Sequence, residues 1–170
     1  MRNFLNESIF ASLHHCTIAP LKSIQKMKNT ELLLKTSSIL WVIWAIVHIG
    51  AGIFIMSSDT VTGIQGIADA VDPASLKMNY PDAVGAIVKQ LGFNIGWAGV
   101  VTLIGAVFIW RKNTTAIFVT AMVGGLFDMA YFLFIDLGGF AKFLPGGLMT
   151  YVSAIAIILS FYAYFKKNKV

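Results

Sequence analysis

The chain has 170 residues, of which 57% are hydrophobic and only 12% charged, about half the charged share of ordinary soluble domains. Its net charge of +5 does not point to nucleic acid, because the basic residues stand at the ends of apolar segments, as membrane topology requires. The single cysteine, Cys16, excludes an internal disulfide and, with no Cys-x-x-Cys present, dithiol redox chemistry.

Residues 1–34 read as a cytoplasmic N-terminal segment and residues 35–170 as a four-span bundle. Residues 1–26 contain no continuous apolar run of the kind that forms a signal-peptide core. Phe4, Leu5, Ile9 and Leu13 share one face of a helix, which suits an interfacial helix. The alternative is a translation start at Met27, about ten residues ahead of the first span. His14, His15 and Cys16 are adjacent but lack the spacing of a zinc site, so no metal is expected there.

Four apolar segments follow, over roughly 38–56, 91–110, 115–135 and 143–165. About 20 residues of helix cross the ~30 Å of bilayer hydrocarbon, so the fold class is an all-α integral membrane four-helix bundle. In the first span Trp41, Trp44, His48, Ala51 and Gly52 share a face. In the second, Gln90, Asn94 and Trp97 form a polar-aromatic stripe beside a smooth face of Gly92, Gly96 and Gly99, where another helix can approach closely. The third carries Ala121, Gly124, Gly125, Asp128, Tyr131 and Phe132 on one side, and the fourth Thr150, Ser153, Ile157, Ser160 and Tyr164.

Charge sets the expected orientation. Lys22, Lys26, Lys28 and Lys35 precede the first span, Arg111 and Lys112 join the second to the third, and Lys166, Lys167 and Lys169 close the chain. The loop at 57–83 instead holds Asp59, Asp69, Asp72 and Asp82 against Lys77. The positive-inside rule then places both termini in the cytoplasm of a bacterial inner membrane. Trp41, Trp110, Tyr162 and Tyr164 fall near the cytoplasmic interface. Within the outer loop, Ile64, Ile67, Ala68 and Val71 line one face of a short amphipathic helix over 62–71, a lid for whatever lies beneath.

Polar residues at depth locate the candidate site, because ionisable groups inside a span are expensive and are retained for pairing or function. At 1.5 Å of rise per residue, His48 lies near the midplane, Asp128 roughly 5 Å outward and Asn94 roughly 9 Å outward. A polar pocket opening outward is expected, with His48 at its floor. Its candidate catalytic residues are His48 and Asp128, and its candidate ligand-binding residues are Asn94, Trp97, Tyr131, Thr150, Ser153 and Trp44. If His48 and Asp128 meet, the couple can hold one proton and exchange it with a ligand. The alternative is that Asp128 only locks the bundle by bonding His48 or a tyrosine hydroxyl. No haem, flavin, nucleotide or metal motif occurs, and the cofactor is unknown.

The run Gly92-Phe93-Asn94-Ile95-Gly96, through Leu103-Ile104-Gly105 to the Arg111-Lys112 turn and a further apolar span, resembles the DoxX-like family of small four-helix membrane proteins. Some of these are tied to quinone-linked oxidoreductase complexes. The resemblance implies a quinone or lipid environment. The chain departs from the family pattern with Asn94 where an acidic residue is common and with a longer first loop. Three readings follow: a protein that binds or acts on a quinone, isoprenoid or lipid; a non-catalytic accessory subunit of a membrane complex; and a small proton-linked transporter. The partners expected are the bilayer, a hydrophobic ligand, and a membrane-complex partner or a second copy of the chain.

Overall fold

In a computed structural model, the backbone is described over residues 2–168 and the side chains over residues 27–167. The expectations for Phe4, Leu5, Ile9, Leu13, His14, His15 and Cys16 fall outside the described side chains. Helix α1 spans Arg2–Ser57, α2 Thr60–Ile67, α3 Asp82–Trp110, α4 Thr114–Tyr131 and α5 Leu148–Asn168. A 3-10 turn, Pro73–Leu76, lies between α2 and α3, and π-helical turns extend α4 over Phe132–Asp136 and lead into α5 over Phe143–Gly147. No strand occurs among the described residues. Four helices are long and apolar enough to cross a membrane: Met27–Ser57, Asp82–Trp110, Thr114–Asp136 and Phe143–Lys167.

The helices run up and down as a bundle, with α1 and α4 each packed against both α3 and α5. The α1–α3 seam is the closest. A Cβ placed on Gly52 would stand 2.6 Å from the Cα of Gly96 and 2.7 Å from the carbonyl oxygen of Gly92. One placed on Gly99 would meet the Ala45 carbonyl at 2.9 Å. Backbone atoms cannot yield as a side-chain tip can, so these glycines allow the approach. The smooth glycine face of the second span is therefore the buried one, while Gln90 and Trp97 of its polar stripe face outward.

Two adjacent serines fasten α1 to different neighbours. The Ser37 hydroxyl donates to the Ala156 carbonyl on α5 at 2.8 Å, and that of Ser38 to the Ala106 carbonyl on α3 at 2.6 Å. In an apolar medium such interhelical bonds contribute about 0.6–2 kcal/mol each. The outer surface of the bundle carries Ile43, Ile46, Phe93, Ile104, Met122, Leu126, Ile155 and Ile158, all exposed. A continuous apolar belt of this kind suits lipid and not water.

Trp41 differs from the interfacial anchor expected of it. It is fully buried, with its ring against Gly124, where a Cβ would meet it at 2.5 Å. Its position one turn before Trp44, on the inward face of α1, outweighs its nearness to the end of the span. The charged ends are as expected in composition: Lys28, Lys35, Arg111, Lys112, Lys166 and Lys167 share one end of the bundle, and Asp59, Asp69, Asp72 and Asp136 the other. At the basic end, Lys112 adopts a left-handed backbone conformation with φ of 64° in the α3–α4 turn, which costs an L-residue about 1–2 kcal/mol.

Candidate functional site

The site is built on α1 and α4. Trp44 and His48 are four residues apart and stack on one another, with ring centroids 3.5 Å apart and planes 17° from parallel. Asp128, only 4% exposed, projects from α4 into this stack. The Trp44 Nε1–H donates to Asp128 Oδ2 at 2.6 Å. The other carboxylate oxygen, Oδ1, faces His48 Nε2 at 3.6 Å, ion-pair range and longer than a hydrogen bond. Phe127 presents its ring edge-on to both Trp44 and His48, at 6.4 and 6.1 Å between centroids.

His48 Nδ1 lies 2.8 Å from the Trp44 carbonyl oxygen. A carbonyl only accepts, so this bond is made by a ring that carries its proton on Nδ1. Nε2 then faces Asp128 Oδ1 at 3.6 Å. Two bare lone pairs would repel, so the arrangement suits one further proton between them, on Nε2 or on Oδ1.

A cavity of about 100 Å³ lies against the pair. His48, Asp128 and Tyr131 supply its polar lining, Val47, Ile95 and Met149 its apolar walls, and Gly66 and Ile67 its roof. The roof belongs to α2, so the loop does cover the cavity, although the helix ends at Ile67 and leaves Val71 outside it. Its N-cap is Asp59, which accepts the Thr62 backbone N–H at 2.9 Å and the Thr62 hydroxyl at 3.0 Å. The first of these bonds, with the second behind it, holds the Asp59 carboxyl below the usual aspartate range. The roof is fastened at its far side too: the Tyr131 hydroxyl donates to the Ile67 carbonyl at 3.0 Å, the Ala70 N–H to the Phe140 carbonyl at 3.0 Å, and the Lys142 N–H to Asp69 Oδ1 at 2.6 Å.

The structure thus brings together His48, Asp128, Trp44 and Tyr131 of the residues singled out in the sequence. Trp44 acts on the carboxylate rather than on the cavity, whose lining does not include it. Asn94 and Trp97 stand elsewhere: Trp97 donates to Asn94 Oδ1 at 3.2 Å on the outer face of α3, and Trp97 is 44% exposed. The glycines take the inward face of α3 and turn Asn94 away from the cavity. Thr150 reaches Asp136 Oδ2 at 3.4 Å, and Ser153 donates to the Thr150 carbonyl at 3.0 Å; neither lines the cavity. Phe127, Pro145, Gly146 and Met149 do line it. No residue pattern marks them, because apolar walls look like any other membrane helix.

Among the described residues no group of three or more His, Cys, Asp or Glu side chains is placed to hold a metal ion. Fold and site together define a small four-helix bundle, fit by length and composition to cross a membrane, with one buried acid–base pair beside a covered cavity. Comparison with known proteins finds no matching family model, no matching curated protein and no matching solved structure.

Proposed function

We propose that this is an integral membrane protein of the bacterial inner membrane, with both termini cytoplasmic, that receives the polar head of a hydrophobic molecule beneath α2 and exchanges a proton with it through His48 and Asp128. The observation that carries this reading is the approach of His48 Nε2 to Asp128 Oδ1, at 3.6 Å, next to a cavity that both line. General acid–base transfer needs a group that can give and retake a proton at hydrogen-bond reach of the ligand. Trp44 keeps the carboxylate aligned, and the stack on Trp44 keeps the imidazole facing it.

Size narrows the ligand. A cavity of about 150 Å³ accepts benzene, and this one is near 100 Å³. It suits a hydroxyl or carbonyl head of an isoprenoid or lipid; a substituted quinone ring requires α2 or Phe127 to move aside. Membership in the DoxX-like family is part of the proposal and rests on the α3 glycine pattern and the four-helix architecture.

A second reading is favoured by one observation: the Trp44 N–H already meets one carboxylate oxygen of Asp128 and His48 faces the other, so the cluster can serve purely to lock α1 to α4 in an accessory subunit. Mass spectrometry of small molecules co-purifying with the wild type and with a folded Asp128→Asn variant separates the two. A specific lipid, isoprenoid or quinone retained by the wild type and lost in the variant supports the acid–base reading. The same bulk lipids in both support the accessory subunit.

A further inference from the structure

The basic end of the bundle holds a larger cavity than the one beside His48. It measures about 390 Å³ and lies between α1, α4 and α5. Its buried walls are Thr30, Leu34, Ile117 and Ala163, with Tyr164 half-buried beside them. Its open side carries Glu31, Lys112, Thr114 and Lys167, with Met27 exposed among them. It is therefore amphipathic along its depth: mainly apolar inside, cationic where the helices end.

Charge at the mouth favours an anion. Among the described residues Glu31 is the only acidic side chain there, and it is already held by Lys112 Nζ at 2.7 Å and Lys35 Nζ at 2.9 Å. Against that one negative charge stand Lys35, Lys112 and Lys167, with Arg111 and Lys166 next along the chain. Lys112 is held at the mouth by a turn that gives it a left-handed backbone, a conformation in which glycine would be unstrained. Basic pockets between membrane helices at the cytoplasmic surface are where anionic lipid headgroups bind.

We propose that this cavity is a binding site for one anionic phospholipid, its phosphate between Lys112 and Lys167 and the start of an acyl chain against Leu34, Ile117 and Ala163. The site is independent of the His48–Asp128 pair and stands or falls separately from the function proposed for it. Bound there, the lipid ties α1 to α4 and α5 at the end opposite α2.

The test is native mass spectrometry of the full chain from nanodiscs of mixed phosphatidylglycerol and phosphatidylcholine. One phosphatidylglycerol per protein is expected to persist after the annular lipid is stripped. Lys167→Gln alone and Lys112→Gln with Lys167→Gln should lower its retention, the pair by at least about tenfold. Ala163→Leu, which fills the apolar part and leaves every charge in place, should lower it as well. Lys77→Gln with Lys89→Gln, away from this end, should leave it unchanged. Equal losses in both charge pairs would mean non-specific attraction and overturn the proposal, as would unchanged retention in the Lys112 and Lys167 variant. Retention that appears only after deletion of residues 1–26 would overturn it too, since the occupant would then be the chain's own N-terminal segment.

Discussion

Trp41 and Trp44 sit one turn apart on the same face of α1, both fully buried, with their rings edge to face at 5.9 Å. Each looks across the bundle at α4, Trp41 at Gly124 and Trp44 at Asp128. Trp44 gives its N–H to a carboxylate; the Trp41 Nε1 is buried with no hydrogen-bond partner, as are the hydroxyl oxygens of Thr102 and Thr120. One layer is organised by polar pairing and the next by shape alone. The same residue type, at the same burial, is a positioning group in one layer and a packing body in the other. Four residues on α4 decide which.

The largest expected effect is in the paired layer. Asp128→Leu removes the partner of both Trp44 and His48 and leaves their polar atoms buried and unanswered, a loss of about 3–5 kcal/mol. It should show as a steep fall in thermal unfolding temperature in detergent, with Asp128→Asn falling much less because the amide still accepts from Trp44. Next comes the contrast between the two tryptophans. Trp44→Phe and Trp41→Phe delete the same ring volume, so their difference reports what the paired layer adds, the hydrogen bond to Asp128 first and the stack on His48 with it. Trp44→Phe should be the more damaging by about 1.5–3 kcal/mol, and equal losses would remove the distinction between the layers.

Gly124→Ala probes the shape-organised layer. Its new methyl meets the Trp41 ring at 2.5 Å, and overpacking of this kind costs about 1–3 kcal/mol. The double variant Gly124→Ala with Trp41→Phe should recover part of that loss. The smallest effect is local. Because its folded pKa is depressed, the Asp59 cap stabilises α2 above the ordinary aspartate value near 3.8 and loses that contribution as pH falls through the folded value. Hydrogen-exchange protection over 60–67, taken relative to the intrinsic rate at each pH, should therefore fall in acid in the wild type and already be low at neutral pH in Asp59→Ala, with the four long helices unchanged.

The four long helices were legible from the length of the apolar runs; that His48 and Asp128 are candidates for a pair was legible from their similar depth, but not whether they meet, which only the packing of α1 on α4 decides. The inward face of α3 was less so. Its glycine face and its Asn94–Trp97 stripe both have interior character, and only the approach of Gly52 on another helix selects between them. The role of Trp44 was hidden for a related reason: periodicity places it on the face of His48, but its N–H finds Asp128 only through the packing of α1 on α4. Thr150 and Ser153 satisfy their hydroxyls close by, on Asp136 and on a carbonyl one turn back, which a stripe of small polar residues does not reveal.

Whether His48 and Asp128 share a proton is best tested by solid-state nitrogen-15 NMR of histidine-labelled protein in bilayers. The chain has three histidines, so His14→Asn with His15→Asn leaves His48 as the only signal. The expected spectrum has Nδ1 protonated, with Nε2 sharing a second proton with Asp128 and shifting when Asp128 is replaced by Asn. A ring protonated at Nδ1 alone, with an Nε2 signal that does not respond when Asp128 is replaced by Asn, would contradict it, since no proton would then lie between Nε2 and the carboxylate.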